Sequence, residues 1–400
     1  MEAVVSGFLI SVAGLLSVQV AVYCIEIFAG IALPTGEFNK REATRVPGRV
    51  CVLVPAHNEG SGLLPTLNDI QPHLLPRDRL VVVADNCTDD TSIIASAAGA
   101  EVVERHDSSK RGKGYALDFG LRHLSADPPD FVIVVDADCR VAPDTIRELV
   151  STCAHSGRPA QALDLMIAPG ESQISHQVSE FAWRVKNWLR PLGLFALGLP
   201  CHLLGTGMAF PWHLIRSADL ANGCLVEDLK LGLDLAQAGY PPVFCPSACV
   251  TSPFPSSAKA AAIQRERWER GHVNTILGAV PRLICRAIAQ RNIPLLALAL
   301  DLAVPPVSLL GILLAGTWGI TLLAALVGTG RIALLVITTA GLAFLSASIL
   351  AWLKCGRDVL PLTAISLVLQ YVLGKLSLYC RIIFKHRHTP WIRTDRTKSQ

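Results

Sequence analysis

Two carboxylates one residue apart, Asp136 and Asp138, follow the apolar run FVIVV at 131–135. A strand that delivers such a pair to its end presents hard oxygen ligands. Magnesium or manganese takes oxygen and commonly bridges to substrate phosphates. Upstream, Lys110-Arg111-Gly112-Lys113-Gly114 sets positive charge beside glycines that let the backbone approach an anion closely. Neither GxxxxGK[ST] nor GxGxxG spacing is present, so the segment supports phosphate contact without a named nucleotide loop. Downstream, Glu227-Asp228 opens LVEDLKLGLDLAQAGY, where a carboxylate could cap a helix or act as a base. In QRERW, Gln264, Arg267 and Trp268 stand at i, i+3 and i+4, one face of a helix. With Gly205-Thr206-Gly207 before them, these groups supply a base, a phosphate-binding cation and an aromatic wall for one pocket.

The elements that must position them are readable as apolar runs. Residues 50–56 (VCVLVPA), 80–85 (LVVVAD), 100–105 (AEVVER) and 131–135 predict strands, each followed by turn residues, and the first three also by helical spacing. Strands apolar on both faces that alternate with helices predict an α/β domain with a mostly parallel sheet covered on both sides. Ligands bind such sheets outside the carboxyl ends of the strands. The polar residues fall there: His57, Asn58 and Glu59 after the first run, Asp85 and Asn86 after the second, Asp136 and Asp138 after the fourth.

The ordered set PAHNE, ADNCTDDT, RGKGYAL, VDADC, GTG, VEDLKLG and QRERW resembles the inverting family-2 glycosyltransferases of GT-A fold. The likeness is to their membrane-embedded branch, which includes cellulose, chitin and hyaluronan synthases and ceramide glucosyltransferase, and it covers roughly residues 48–275. It implies a Rossmann-like GT-A domain, a nucleotide-sugar donor such as UDP-Glc or UDP-GlcNAc, and Mg²⁺ or Mn²⁺. The acceptor would be membrane-associated or a growing glycan, as in polysaccharide biosynthesis. By similarity Glu59 would lie on the donor side, Asp85 would bind the base or ribose, and Lys113 would contact the nucleotide. Asp136 and Asp138 would contact nucleotide and metal, with Asp138 the direct ligand. Asp228 would be the general base with Glu227 beside it, and Gly205 and Thr206 would belong to the acceptor side. Gln264, Arg267 and Trp268 would close over the diphosphate and acceptor sugar. The sequence departs from the pattern at His57, where many relatives carry an aromatic, and at Val226, where threonine is frequent. One alternative is a single transfer to a ceramide-like or polyprenyl lipid; a second is a catalytically inactive transporter or nucleotide-sugar sensor.

Composition places this domain between membrane segments. The chain is 51% hydrophobic and 17% charged, with a mean hydropathy of +0.42, which excludes a disordered chain, a disulfide mini-protein and a collagen-like fibre. From Ala3 to Leu33 the only charge is Glu26, enough for an uncleaved span. Lys40, Arg41, Arg45 and Arg49 follow it, so the positive-inside rule puts residue 34 onward in the cytosol. Val307–Val327, Ile332–Leu353 and Val359–Cys380 could each span, whereas Ile293–Val304, with Asp301 and then Pro305-Pro306, reads as interfacial or re-entrant. The expected division is an anchor at 1–34, the cytosolic domain at 48–275, the interfacial segment at 276–306, spans at 307–380 and a basic tail at 381–400. That tail carries +5 of a whole-chain +4, which suits anionic lipid head groups and leaves no broad basic surface for nucleic acid. An even number of C-terminal spans would keep the tail inside. The scattered cysteines read as reduced, small buried hydrophobes. The expectation is an integral protein, of the plasma membrane, with a homo-oligomer or an export partner needed if a polymer is secreted.

Overall fold

The computed structural model describes residues 2–33, 46–168, 174–221, 226–255, 258–376 and 378–379. The four apolar runs become β1 (Val50–Ala56), β2 (Arg79–Asp85), β3 (Glu101–Arg105) and β4 (Phe131–Val134), paired in parallel in the order β3-β2-β1-β4. Their central residues, such as Val52, Leu53, Val82 and Ile133, are fully buried because helices cover both faces. Leu63, Leu67, Ile70 and Leu149 pack on one side, and Leu117, Leu121 and Leu124 on the other. Each such side chain contributes about 1.5–3 kcal/mol on burial. The register sets Ala56 beside Ala84 and Leu53 beside Val134. His57–Glu59, Asp85–Asn86 and Asp136–Asp138 therefore leave the sheet at one edge, as the sequence predicts.

The second half of the sheet has no counterpart in the apolar runs. β5 (Arg140–Val141), β6 (Ala160–Ile167), β7 (Met208–Pro211) and β8 (Val243–Pro253) extend it in the order β4-β7-β6-β8-β5. β7 is antiparallel to both β4 and β6, and β5 to β8, while β6 and β8 are parallel. The α/β class and the predominance of parallel pairing stand, and the reversal at β7 makes the sheet mixed. The β6–β8 ladder shifts register between Ala162 and Leu163, which pair with Cys245 and Cys249, so the extra residues of this bulge lie on β8.

Three described helices, Glu2–Ala32, Val307–Leu326 and Arg331–Cys355, are long and apolar enough to cross a membrane. The first and third pack along one another through Tyr23, Ile27, Ala340, Phe344 and Ala347, and Tyr23 Oη lies 3.2 Å from Ser348 Oγ. Their outward faces expose large apolar side chains such as Phe8 and Leu335, a surface suited to lipid. In the expected span Val359–Cys380 the described residues form a shorter helix, Ile365–Gly374. The junction at 34–45 and the basic tail lie outside the described residues. The helix Ala258–Ala289 runs unbroken through the expected boundary at 275/276, and Ile293–Ala303 folds back against it.

The first membrane-length helix also grips the soluble domain. A Cβ placed on Gly193 would overlap the backbone carbonyl of Glu26, so helix Arg190–Ala196 meets helix Glu2–Ala32 backbone to backbone. At that crossing Arg190 donates to Glu26 Oε2 at 2.6 Å and to the carbonyl of Asp301 at 2.9 Å, and ion-pairs with the Asp301 carboxylate. His202 Nε2 lies 3.2 Å from the other Asp301 oxygen. This buried hub ties together the anchor helix, the domain and Ile293–Ala303.

Candidate active site

Beyond the end of β4 the chain turns through Asp136-Ala-Asp138-Cys139, and this turn is fixed from below. Thr66, buried on helix Leu64–Ile70, donates to the carbonyls of Ala137 and Cys139 at 2.8 and 2.7 Å. Thr206 Oγ1 accepts from the Asp136 backbone N–H at 3.1 Å. Carboxylate oxygens of Asp136 and Asp138 and the sulfur of Cys139 all lie within 4.8 Å of one another. Cys139 does not fit as a ligand to a hard cation. Its thiol is 3.1–3.2 Å from the hydroxyls of Ser252 and Thr206, and burial pushes it up to about 12, so it keeps its proton. The donor set is the two carboxylates, which suits Mg²⁺ or Mn²⁺ with the remaining positions left to phosphate oxygens and water.

Lys113, first residue of helix Lys113–Leu124, reaches across to this turn. It ion-pairs with Asp136 and donates to the Gly205 carbonyl at 2.8 Å. Burial works against its charge, yet Asp136, then Glu227 and Asp228, hold the ammonium above its ordinary value. The Gly205-Thr206-Gly207 loop is itself pinned by Gln161, fully buried on β6, whose amide donates to the Thr206 carbonyl at 2.9 Å and accepts from Leu204 N–H at 2.8 Å. Gly205 has φ +93°, and a Cβ there would stand 3.3 Å from Asp228 Oδ2 and 3.5 Å from Lys113 Nζ. Glu227 and Asp228 open helix Glu227–Gln237 beside this loop. Burial pushes Glu227 up to about 7, with the neighbouring Asp228 adding to the rise and Lys113 opposing it. Asp228 is also raised by burial, against the Leu229 N–H, Lys113 and Lys186.

These groups share one cavity of about 750 Å³, whose wall includes Lys113, Asp136, Asp138, Gly205, Thr206, Glu227 and Asp228. Helix Ala258–Ala289 closes it with Gln264, Arg267 and Trp268, as the spacing on one helical face predicts. Burial lowers the Arg267 guanidinium and Glu227 opposes that shift. Glu59 and Asp85 stand on the same sheet edge but outside the cavity wall. Asp85 is buried and accepts from Arg105 at 2.5 Å and from Asn86 at 2.9 Å, and the Arg105 guanidinium lies 5.6 Å from the Tyr115 ring, which does line the cavity.

The deep side of the cavity went unread in the sequence. Trp183 lines it from helix Ile174–Arg184, Lys186 and Asn187 from the π-helical turn Val185–Leu189 that follows, and Arg190 from the start of helix Arg190–Ala196. Asp164 joins them from β6; burial pushes its carboxyl up to about 7, with Asp136 adding. His272 also lines the cavity, and burial holds it down to about 3, so it is neutral. The signal for this wall was WRVKNWLR, which puts aromatic, cationic and amide side chains at i, i+3, i+4 and i+7.

Residues 47–271 match the family described as glycosyltransferase-like family 2. Among curated proteins, the chain is 25% identical over 253 residues to a probable glycosyltransferase, YdaM, of Bacillus subtilis, covering 59% of this chain and 58% of that protein. It is 24% identical to a probable glucomannan 4-β-mannosyltransferase of Arabidopsis thaliana, over 59% of this chain and 45% of the relative. The chain thus spans about half the length of these relatives. Among solved structures, the mannosyltransferase PcManGT of Pyrobaculum calidifontis, in complex with GDP-Man and Mn²⁺, aligns with TM-score 0.49 at 19% identity, covering 86% of this chain and 99% of that one. Glucosyl-3-phosphoglycerate synthase of Mycobacterium tuberculosis, with Mn²⁺, UDP and phosphoglyceric acid, aligns at 0.39 and 24%, over 60% and 81%.

Proposed function

Because the chain belongs to glycosyltransferase-like family 2, with more than half its length matched, we propose that it is an inverting enzyme that moves one hexose from a UDP-sugar to a membrane-associated or growing glycan acceptor. The observation that carries this is the convergence on one cavity of a carboxylate pair fit for a divalent cation, a lysine, an acid pair and an Arg-Trp face. Asp138 would hold Mg²⁺ or Mn²⁺ together with Asp136, which ion-pairs with Lys113. When bound, that cation neutralises charge developing on the departing diphosphate. Lys113 and Arg267 supply the rest of the countercharge from fixed positions, which costs no reorganisation during the reaction. Asp85, paired with Arg105, takes the ribose or base at the sheet edge, and Glu59 borders the same end.

Asp228 takes the proton of the acceptor hydroxyl as its oxygen attacks the anomeric carbon and the bond to UDP breaks. Its raised affinity for a proton suits that work, since base catalysis is most effective when the group titrates near the operating pH. Glu227 stands beside it, its own carboxyl raised by burial and by the Asp228 charge. A single base fits one in-line displacement that turns an α-linked donor into a β-linked product. Gly205 and Thr206 form the floor on the acceptor side, and Trp268 the wall. The membrane-length helices support a position at a bilayer, and on this reading the cavity opens to the cytosol, where UDP-sugars are found.

The test is UDP release by membranes carrying the wild-type chain or Asp228→Asn, with Mn²⁺ or Mg²⁺ and a panel of labelled UDP-sugars, scored together with product size. Donor-specific release that Asp228→Asn lowers by about 10²–10⁴-fold is expected. A high-molecular-weight product would identify a polymerising enzyme, and a solvent-extractable one a single transfer to lipid. Release equal in both proteins would overturn the assignment of Asp228.

A further inference from the structure

The deep wall of the cavity has features that the displacement of UDP does not use. Trp183 lines it half-exposed, its indole N–H donating to the Asp164 carbonyl at 3.1 Å, which fixes the ring. Trp268 leans against it with ring centroids 4.9 Å apart and planes at 43°, so the two indoles form an open aromatic corner. Lys186 extends into the cavity, 5.6 Å from the Trp183 ring, and has no hydrogen bond or ion pair among the described residues. Asn187, 1% exposed, donates to Asp164 Oδ2 at 3.1 Å, and its Oδ1 has no partner. A cation and an amide oxygen left without partners on a cavity wall are donor and acceptor capacity held for something that enters.

The backbone is arranged to deliver these groups together. Residues 183, 186, 187 and 190, at i, i+3, i+4 and i+7, share one wall, and the helix there widens into a π-turn over Val185–Leu189, a rare feature that concentrates at functional sites. An aromatic corner bordered by mixed polar donors and acceptors, without a net excess of cations, matches a ring that is apolar on its faces and hydroxylated around its rim. A sugar has that character; an alkyl chain lacks the rim and a free phosphate lacks the face.

We infer that Trp183, with Trp268, Lys186, Asn187 and Asp164, forms a subsite for a pyranose ring of the acceptor, so that the enzyme glycosylates a molecule that already carries a sugar. This rests on the transferase reading of the same cavity. Trp183 is the platform, and the polar groups of Lys186, Asn187 and Asp164 select hydroxyl positions. An acceptor such as a bare lipid alcohol would leave them unsatisfied.

Saturation-transfer NMR on the full chain in nanodiscs, with Mn²⁺ replaced by diamagnetic Mg²⁺ and UDP present, tests this with cellobiose and N,N′-diacetylchitobiose as probes and 1,6-hexanediol as the sugar-free control. Ring-proton saturation is expected for at least one disaccharide and not for the diol. It should weaken about five- to tenfold in Trp183→Ala and persist in Trp183→Phe, which keeps an aromatic face. Lys186→Ala, at a side chain with no hydrogen bond or ion pair among the described residues, should also weaken it. No ring-proton signal from either disaccharide, or signals unchanged by both Trp183→Ala and Lys186→Ala, would overturn the subsite. UDP release from labelled donors is read in parallel. Release without disaccharide binding leaves the transferase and sinks the subsite, whereas Trp183-dependent binding without release from any donor keeps the subsite and sinks the transferase.

Discussion

Replacing Gly205 by alanine tests whether the GTG loop positions the reacting groups. At φ +93° an L side chain is strained, at a cost of about 1–2 kcal/mol for left-handed backbone. The loop cannot relax freely, since Gln161 holds both Leu204 and Thr206. The new Cβ would stand 3.3 Å from Asp228 Oδ2, tight enough to push that carboxylate, and in ordinary contact with Lys113 Nζ at 3.5 Å. Any shift also lengthens the 2.8 Å bond from Lys113 to the Gly205 carbonyl, a charged hydrogen bond contributing about 1.5–3 kcal/mol. At 1.36 kcal/mol per tenfold, Gly205→Ala should lower kcat/KM for UDP release about ten- to a hundredfold. Gly198→Ala is the control, for Gly198 has φ +68° with nothing within 4 Å of its added Cβ. Both variants should lose about 2–4 °C of Tm, and only Gly205→Ala should lose turnover. Equal loss of Tm with wild-type kcat/KM in both would refute the positioning argument.

The raised carboxyls predict a pH signature. With Asp228 raised by burial, kcat/KM should begin to fall at a higher pH than an ordinary aspartate would give, by about tenfold per unit below the break, and a profile flat down into the ordinary aspartate range would contradict the base assignment. Burial also pushes Glu227 from 4.5 up to about 7. The same shift makes the Glu227 contribution to stability full below about pH 4.5 and lost as pH rises through about 7, which thermal unfolding of Glu227→Gln against wild type at pH 5 and 8 should expose. Asp138→Asn should raise the Mn²⁺ concentration needed for half-maximal activity by about tenfold or more, read by metal titration of UDP release; an unchanged titration would remove Asp138 from the metal site. Gly193→Ala, whose Cβ would overlap the Glu26 carbonyl, should cost about 1–3 kcal/mol of stability through overpacking, read as a lower Tm in detergent, and no change would mean that the two helices are not in contact.

How much of this was legible follows from where each side chain sits in the covalent pattern. The groups at the sheet edge are carried on continuous signals: β1, β2 and β4 are apolar runs with polar residues at their carboxyl ends, so an edge site was readable. Gln264, Arg267 and Trp268 were readable because helical spacing alone puts them on one face. The deep wall was not. Asp164 lies mid-strand in AQALDLMI, where a lone acid breaks an otherwise buried run and nothing local says what it faces. Trp183, Lys186 and Asn187 are spaced for one helical face, but WRVKNWLR alone does not say that this face meets the cavity. The reversal at β7 was equally hidden, for Met208–Pro211 is four residues long and is fixed by pairing on both sides, not by its own pattern. Glu26 and Asp301 are the most telling case. In sequence each is an isolated acid in an apolar segment, marking expense and little else. In the fold Arg190 lies between them, a residue from neither segment, and the pairing turns two membrane-side anomalies into the joint that holds the cavity wall against the first membrane helix. Local periodicity thus reports the groups that a single element positions, and it is silent on those that exist as a set only when distant segments meet, which here are the groups of the deep cavity wall.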